Sequence, residues 1–258
     1  TGTIYEKLID DLIKTYSNLE HKIISTWYDP KFETLHTAYA YGGCKPENYN
    51  VVLKKLEDAG FILVFNNLVE ATKMYENYNN KYYKSTIAQT MQIYNGLVKA
   101  KELGYKYVIR CRTDISCEDD TMFNKFINET KYLFTEKLSV ICGMSIGKYP
   151  YILDVIITGD INEMLLFFDC NYPKDSDKGL STEHYWLREY FKKKYPDKPI
   201  TLTTIKEVFN YFLRDLQKHN IEFLWFRPKI YEKLQNKKIE NAQVKIVKNY
   251  CMKGYVRL

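Results

Sequence analysis

The sequence predicts an α/β fold in which one mixed central sheet is flanked by helices. Segments typical of strands alternate with segments typical of helices along most of the 258 residues. Phe61 to Phe65 reads FILVF, a short apolar run, and Tyr105 to Asp114 is rich in aromatic and β-branched residues. Between them, Ser85 to Leu103 repeats its apolar residues at the period of one helical face. Such alternation is typical of α/β proteins.

The amino-terminal part of the chain carries two predicted helices and two predicted strands. Apolar residues at helical spacing predict a helix over residues 3–17, and the run from His21 to Trp27 predicts the first strand. Residues 31–50 contain two adjacent glycines and a proline, so we expect them to be irregular. A short helix over residues 51–59 ends at a glycine and leads into the FILVF strand.

A predicted loop and a long predicted helix make up the middle of the chain. Residues 68–84 are rich in Tyr, Asn and Lys, and they predict either a mobile connection or a lid whose tyrosines stack on a sugar. Gly104 is expected to end the long helix, because glycine readily adopts the left-handed conformation that follows many helices. Residues 121–132 predict a further helix.

Beyond residue 138 strands and helices are expected to alternate at shorter intervals. Residues 139–146 and 151–158 predict two strands in a hairpin-like pair. Asp160 and Glu163 have the spacing of a capping box for an apolar helix that ends near Phe168. The remaining predictions are a polar loop over 170–180, a helix from Ser181 or Thr182 through Tyr195, a helix capped by Thr204 with Glu207 through His219, and a strand over 221–226.

Length and charge favour one principal domain followed by a basic extension. With 45% apolar and 16% aromatic residues, the chain has ample material for a core. Residues 227–258 hold nine Lys or Arg and two Asp or Glu, a local charge of +7, whereas the whole chain carries +6. We therefore predict a domain over residues 1–226 and a basic C-terminal extension over residues 227–258 that packs on it or is tethered to it.

Several partners fit the basic extension. An anionic membrane surface, a glycan, a nucleic acid or another domain would each attract it, and a solvated lysine-rich terminus is an equally simple interpretation. We predict peripheral membrane contact and expect no nucleic acid. The six scattered cysteines form no C-x-x-C pair, and no apolar run approaches the roughly 20 residues of a spanning helix. A cytoplasmic protein with reduced thiols is therefore expected.

The segment from Tyr107 to Asp114 carries the strongest chemical signal. Strands of α/β folds present ligand-binding residues at their carboxyl ends, where Arg110, Arg112 and Asp114 stand. The two arginines share one strand face, and they are costly to bury without an anion. Either acids of the protein or phosphates of a substrate supply that anion. Asp114 is thus either a ligand of a divalent metal or an acid paired with one of the arginines.

Two further acids are candidates for proton transfer. Asp154 lies within the apolar run from Tyr151 to Ile157, where a carboxylate needs either a partner such as a core arginine or a catalytic task. Glu183 falls in the first turn of a predicted helix, where the helix dipole alone would favour it. Both interpretations stay open for each acid.

The stretch from Gln89 to Asp114 resembles the WavE-type lipopolysaccharide-synthesis proteins, a family assigned to the GT-A-type glycosyltransferases. The family pattern is a Gln on a helix, a Gly seven residues later, and then a strand that ends in a basic residue, any residue, and Arg-Thr-Asp. Gln89, Gly96 and the sequence YVIRCRTD ending at Asp114 match it, with Arg110 in place of the usual Lys.

Weaker similarity extends over residues 20–195. The residues from Ile23 to Trp27 resemble the first strand of the family, Asp154 with Gly159 resembles its Asp-x-x-x-x-Gly segment, and Glu183 resembles the acid of its Glu-Gln-Tyr stretch, although His184 replaces the Gln. The Pro-x-x-x-Gly loop of the family is not recognisable here.

The resemblance implies a GT-A-like, Rossmann-like sheet and a glycosyltransferase that uses a nucleotide sugar, most simply a UDP-sugar, and a glycan or other hydroxyl acceptor. Asp114 would bind Mn²⁺ or Mg²⁺, although Arg112 stands where the family motif usually has its earlier acid. Asp154 would be the first candidate for the catalytic base and Glu183 the second. The implied donor-binding residues are Thr26, Trp27, Gln89, Arg110, Arg112 and Thr113.

Two other classes of function remain as alternatives. A nucleotidyltransferase or other phosphotransferase would use the same arginines and aspartate, but such enzymes generally need two close acids, and Asp119 with Asp120 is the only nearby pair. A non-enzymatic module that binds nucleic acid or a membrane surface through the basic extension would depend steeply on salt and would not need Asp114.

Overall fold

The computed structural model describes residues 4–28, 46–67, 81–117, 119–146, 149–169, 181–226 and 243–245, and over these the chain is a mixed α/β protein, as predicted. The described α-helices are α1 (Ile9–Thr15), α2 (Pro46–Asp58), α3 (Lys81–Glu102), α4 (Met122–Thr130), α5 (Ile161–Phe168), α6 (Thr182–Lys194), α7 (Leu202–Val208) and α8 (Leu213–Lys218). The described strands are β1 (Lys22–Tyr28), β2 (Phe61–Asn67), β3 (Tyr107–Cys111), β4 (Ile115–Cys117), β5 (Ser139–Val140), β6 (Gly143–Ile146), β7 (Tyr149–Ile152), β8 (Ile156–Asp160), β9 (Asn210–Tyr211), β10 (Phe223–Phe226) and β11 (Gln243–Lys245).

The first two strands form a parallel ladder. β1 pairs with β2 in the register Lys22↔Phe61 through Tyr28↔Asn67. A parallel pair needs a crossover connection, and α2 lies in that connection and packs on β2.

A mixed four-stranded sheet in the order β3-β8-β5-β9 forms the centre of the molecule. β8 is antiparallel to both β3 and β5, and β5 is parallel to β9. The register pairs Tyr107 with Asp160 and Cys111 with Ile156. The carboxyl end of β3 therefore lies beside the turn that precedes β8, and that turn contains Asp154.

A third sheet brings the late part of the chain to the same place. β10 lies between β4 and β11 and is antiparallel to both. Trp225 is paired with Ile115, so its neighbour across the strands is the residue that directly follows Asp114. β11 belongs to the predicted basic extension, whose other residues lie outside the described part of the chain.

The long helix α3 covers one side of the strands. It packs against β1 and β2 as well as α5 and α6. Gly60 and Gly104 end α2 and α3, and both have φ of +81°, which confirms the expected role of glycine after these helices.

Two aromatic-rich cores hold the layers together. The larger buried rings of the first are Phe123, Phe126, Phe212 and Phe223, and those of the second are Phe167, Trp186, Tyr190 and Phe209. Trp186 is fully buried, and its indole nitrogen donates to Thr90 Oγ1 at 2.7 Å, so this ring is part of the core rather than a stacking platform for a sugar.

Several predicted boundaries were wrong. α2 begins at Pro46, inside the segment predicted to be irregular, because proline is favourable in the first turn of a helix. α3 begins at Lys81, so residues 81–84 are helical and not part of a loop. The predicted loops over 68–80 and 170–180 lie outside the described residues.

The helix predicted through His219 is in fact two helices separated by a strand. The cap is Thr201, whose side chain and that of Thr204 form a reciprocal capping box at the start of α7. The chain then extends as β9 to pair with β5 before α8 begins. Phe209 and Phe212 enter different cores at this break, so burial of two large rings outweighs the helical propensity of the segment.

The predicted strand over residues 151–158 is also interrupted. β7 ends at Ile152 and pairs with β6 as the expected hairpin, whereas β8 begins at Ile156. Asp154 therefore lies in a turn between two strands rather than within one.

Candidate functional site

Arg112 and Asp114 form a two-pronged ion pair just beyond β3. Arg112 Nε donates to Asp114 Oδ1 at 2.8 Å, and Arg112 Nη2 donates to Asp114 Oδ2 at 2.8 Å. The Asp114 side chain is 5% exposed and that of Arg112 is 27% exposed. Such parallel hydrogen bonds are the geometry in which a guanidinium binds carboxylate or phosphate most strongly.

Trp225 supports this pair from β10. Its indole Nε1 donates to Asp114 Oδ2 at 3.0 Å, and its ring centre lies 5.2 Å from the Arg112 guanidinium carbon. A cation over an aromatic face is stabilised by the ring, so one side chain holds both partners of the pair. The pairing of β10 with β4 explains why Trp225 reaches this position.

Asp154 lies between the two arginines. Arg110 Nη1 donates to the main-chain carbonyl of Asp154 and lies 3.5 Å from its Oδ2. Arg112 Nη1 lies 3.4 Å from the same Oδ2. Arg110 and Asp154 are both buried. The two arginines, which the sequence places next to either acids or phosphates, are here next to acids of the protein.

The electrostatics of these groups follow from burial opposed by pairing. Burial alone would raise the pKa of the Asp114 carboxyl, but the Arg112 charge and the hydrogen bonds from Arg112 and Trp225 hold that pKa below its usual value. Burial lowers the pKa of Arg110, and the charge of Asp154 only partly opposes this shift. For Arg112, the charges of Asp154 and Asp114 outweigh burial and raise its pKa.

Glu183 is a further acid near Asp154, and its pKa is raised. Burial raises its pKa, and the negative charge of Asp154 raises it further. Ser181 caps α6 and accepts from the main-chain nitrogen of His184, which fixes the first turn where Glu183 stands. We refer to Arg110, Arg112, Asp114, Asp154 and Glu183 as the charged cluster.

Tyr5 lies at the edge of the charged cluster. Burial raises its pKa to about 12, and the charge of Asp114 contributes to the rise while Arg112 opposes it. Its hydroxyl is therefore a neutral hydrogen-bonding group near Asp114 at ordinary pH.

Asp114, the predicted metal ligand, is already hydrogen-bonded to neighbouring side chains of the protein. Both oxygens of Asp114 already accept hydrogen bonds from Arg112 or Trp225. Within the described ranges, no group of three or more His, Cys, Asp or Glu residues is arranged to hold a metal ion. The residues present do not fit a resident metal, and metal binding by Asp114 stays a prediction.

The other predicted donor-binding residues lie on β1, on α3 and in the turn after β3. Thr26 and Trp27 are buried near the carboxyl end of β1, where Asn66 Nδ2 donates to the Thr26 carbonyl at 2.8 Å and to Ser25 Oγ at 3.0 Å. Gln89 is half-buried on α3. Thr113 is buried between Arg112 and Asp114. Thr113 therefore lies next to the charged cluster, because its two chain neighbours belong to that cluster.

Sequence reasoning missed Trp225 and Tyr5 as members of the site. Both come from parts of the chain more than a hundred residues away from Asp114, and no local pattern links them to it. The apolar run that ends in Phe226 predicted a strand, but only the pairing with β4 places its tryptophan beside Asp114.

The acid pair that a two-metal enzyme would need is used differently. Asp119 Oδ1 accepts from the main-chain nitrogens of Thr121 at 2.9 Å and Met122 at 2.8 Å. A hydrogen bond from the Thr121 hydroxyl has the largest effect in lowering the pKa of Asp119 below its usual value, and the two main-chain bonds lower it further. The main-chain bonds also fix the start of α4. The Asp119 carboxylate is therefore occupied by the main-chain N–H groups at the start of α4.

Comparisons with family models, with curated proteins and with solved structures gave no match. The resemblance to the WavE-type family therefore remains a prediction from the residues quoted above. Across the described part of the chain, no helix combines the length and the apolar character needed to cross a membrane.

Proposed function

We propose that this chain is a glycosyltransferase of GT-A-like architecture that moves a sugar from a nucleotide-sugar donor to a hydroxyl acceptor. The observation that carries the proposal is the partly exposed Arg112 fork at the carboxyl end of β3, with Asp154 beside it. Arginine forks at strand ends of α/β proteins are suited to phosphate groups, and the acids beside this one are suited to proton transfer.

The donor diphosphate would bind by exchange at Arg112. Its guanidinium now donates two hydrogen bonds to Asp114, and a diphosphate offers the same bidentate acceptor geometry with more charge. Arg112 would stabilise the leaving diphosphate as its charge develops. Arg110 is too deeply buried to follow, and its bond to the Asp154 carbonyl gives it the role of positioning that turn.

Glu183 is the better candidate for the catalytic base, although the sequence placed Asp154 first. Arg110 and Arg112 already contact Asp154 Oδ2, so this oxygen is occupied by side chains of the protein. The raised pKa of Glu183 brings it closer to neutrality, where a general base is most effective. In a direct displacement, the oxygen of the acceptor hydroxyl would attack the anomeric carbon while Glu183 accepts the hydroxyl proton and the nucleoside diphosphate leaves.

A divalent metal has a conditional place in this proposal. Asp114 would become available to Mn²⁺ or Mg²⁺ only after Arg112 has turned to the diphosphate. Since Mg²⁺ sites commonly use one or two carboxylates together with substrate phosphates, the metal would arrive with the donor.

A thermal-shift screen tests the proposal. UDP-, GDP-, dTDP- and CMP-sugars are compared with ATP, each with and without Mn²⁺. A ligand at one hundred times its Kd stabilises the folded protein by about 2.7 kcal/mol, which raises the melting temperature measurably. We expect a rise with one class of nucleotide sugar, most simply the UDP-sugars, and turnover to a free nucleoside diphosphate. A rise with ATP alone would favour the phosphotransferase alternative and would contradict the proposal.

A further inference from the structure

A large, mostly apolar cavity lies between β1 and β3, and Arg110 and Arg112 of the charged cluster are among the residues that line it. Its volume is about 600 Å³, within the roughly 300–1,000 Å³ range of small-molecule sites. β1 and β3 border it, and no bridge joins these two strands in the described sheets. At their amino-terminal ends the strands come together, where the His21 and Tyr105 rings lie 4.7 Å apart.

Side chains from both layers make the interior of the cavity apolar. On one side of the cavity α3 contributes Ile93 and Leu97, and the strands β1 and β3 contribute Ile24 and Val108. The helices α1 and α4 contribute Leu12 and Phe123. Apolar cavities of this kind do not hold ordered water well, because water needs several polar partners. An apolar occupant would recover the contacts that the lining side chains otherwise lack.

The charged residues along the cavity all have the same sign. Lys22, Lys131, Arg110 and Arg112 line it, and no described acidic residue does. The two arginines are paired with acids of the charged cluster, whereas Lys131 is exposed and Lys22 is partly exposed near the start of β1. A ligand that combines an alkyl chain with one anionic end matches both the apolar interior and this excess of positive charge.

We infer that the cavity between β1 and β3 binds a single-chain amphipathic anion, with its alkyl chain among the side chains of α3, β1 and β3 and its anionic end near Lys22 and Lys131. This inference does not need the proposed glycosyltransferase activity, because it rests on the apolar cavity and on Lys22 and Lys131, which lie outside the charged cluster. It assigns the protein a lipid-like ligand of the fatty-acid class.

Palmitate and hexadecanol are the probes, with binding measured by native mass spectrometry and by the shift in melting temperature. Palmitate is expected to bind one to one and to raise the melting temperature, and hexadecanol, which lacks the charge, is expected to bind at least tenfold more weakly. Absence of a one-to-one palmitate complex would overturn the inference. Equal binding of the two probes would overturn the assignment of an anionic end.

Two pairs of variants locate the site. Ala100 lines the cavity on α3, so Ala100→Leu fills it, and Ala88→Leu makes the same change at a half-buried position on the same helix outside the cavity. Ala100→Leu should lose at least tenfold in palmitate affinity while Ala88→Leu keeps it. Lys22→Glu should weaken palmitate but not hexadecanol, whereas Lys101→Glu, with the same change of net charge at an exposed position, should weaken neither.

Melting curves of the variants without ligand show whether each one folds. If Ala100→Leu folds and binds palmitate as well as Ala88→Leu does, the ligand lies elsewhere and the inference is wrong. If Ala100→Leu does not fold, the Lys22 pair decides the matter: equal palmitate affinity of Lys22→Glu and Lys101→Glu would overturn the assigned position of the anionic end.

Discussion

Arg112 and Asp114 are bound to each other by two parallel hydrogen bonds of 2.8 Å although only one residue separates them in the chain. The turn after β3 makes this possible, since Arg112 follows the last residue of the strand and Asp114 directly precedes β4. The ion pair thus spans a break between two sheets. It places a guanidinium that can bind phosphate at the same edge as the buried acids of the charged cluster.

Removal of the Asp114 charge should strengthen diphosphate binding in the absence of metal. Asp114→Asn frees Arg112 from its present partner, so we expect UDP to bind about tenfold more tightly, or by about 1.4 kcal/mol, in EDTA. Titration calorimetry measures this change. Asp119→Asn is the matched control, because Asp119 accepts hydrogen bonds from main-chain nitrogens at the start of α4 and its replacement should leave UDP affinity unchanged. Weaker metal-free binding by Asp114→Asn would argue against exchange at Arg112.

Trp225→Phe should cost stability through the loss of one hydrogen bond to a charged acceptor. The phenyl ring can still lie near Arg112, but the indole donor to Asp114 is lost. We expect a loss of about 1.5–3 kcal/mol in the free energy of unfolding, measured by urea denaturation. Trp186→Phe is the control, because its indole donates to the neutral hydroxyl of Thr90.

The two tryptophan variants should respond differently to acid. The folded-state pKa of Asp114 is depressed, so its contribution to stability is present above the usual value of 3.8 and is lost as pH falls through the folded value. Trp225→Phe should therefore weaken the acid dependence of stability, whereas Trp186→Phe should leave it as in the wild type. The same acid dependence in both variants would contradict the role of Trp225.

Glu183 should make the protein less stable as pH rises. Its folded-state pKa is raised above the usual 4.5, so its contribution is fully present below that value and is lost as pH rises through the folded pKa. Glu183→Gln should remove this loss and stabilise the protein near neutral pH. Denaturation between about pH 4 and about pH 8 measures it, with Glu57→Gln at an exposed position as the control. An unchanged pH profile in Glu183→Gln would contradict the burial of this acid.

Catalysis should separate the two candidate bases. In a sugar-transfer assay, Glu183→Gln should lower kcat by about 10²–10⁴-fold and leave the Kd of the donor unchanged, as expected for loss of a general base. Asp154→Asn should chiefly lower stability, because Arg110 and Arg112 both lose a charged partner. If only Asp154→Asn abolished turnover while both variants stayed folded, Asp154 would be the base.

Much of the fold could be predicted from local sequence patterns. The strands β1, β2, β3 and β10 were predicted from runs of apolar, aromatic or β-branched residues, and the long helix α3 from apolar residues that repeat at the helical period. The short elements β4 and β9 were not predicted, since strands of two or three residues have no period to detect, and β5 was predicted only as the start of one longer strand over residues 139–146. Their positions depend on pairing with distant strands.

The site was only partly predictable for the same reason. Arg110, Arg112 and Asp114 were recognised because they stand at the carboxyl end of a predicted strand, and Asp154 because an acid in an apolar run needs a partner. That its partners are those same arginines depends on the register of β3 with β8. The contact between Trp225 and Asp114 depends on a pairing across more than a hundred residues, which no local pattern encodes.

The most direct test of the account is a calorimetric titration of UDP, or of the nucleoside diphosphate selected in the thermal-shift screen, into wild type, Arg112→Lys and Arg214→Lys. Lysine keeps the charge but cannot donate in two parallel directions, and Arg214 is exposed on α8. We expect at least tenfold weaker binding for Arg112→Lys and no change for Arg214→Lys. Equal affinity in all three proteins would show that the diphosphate does not bind at Arg112.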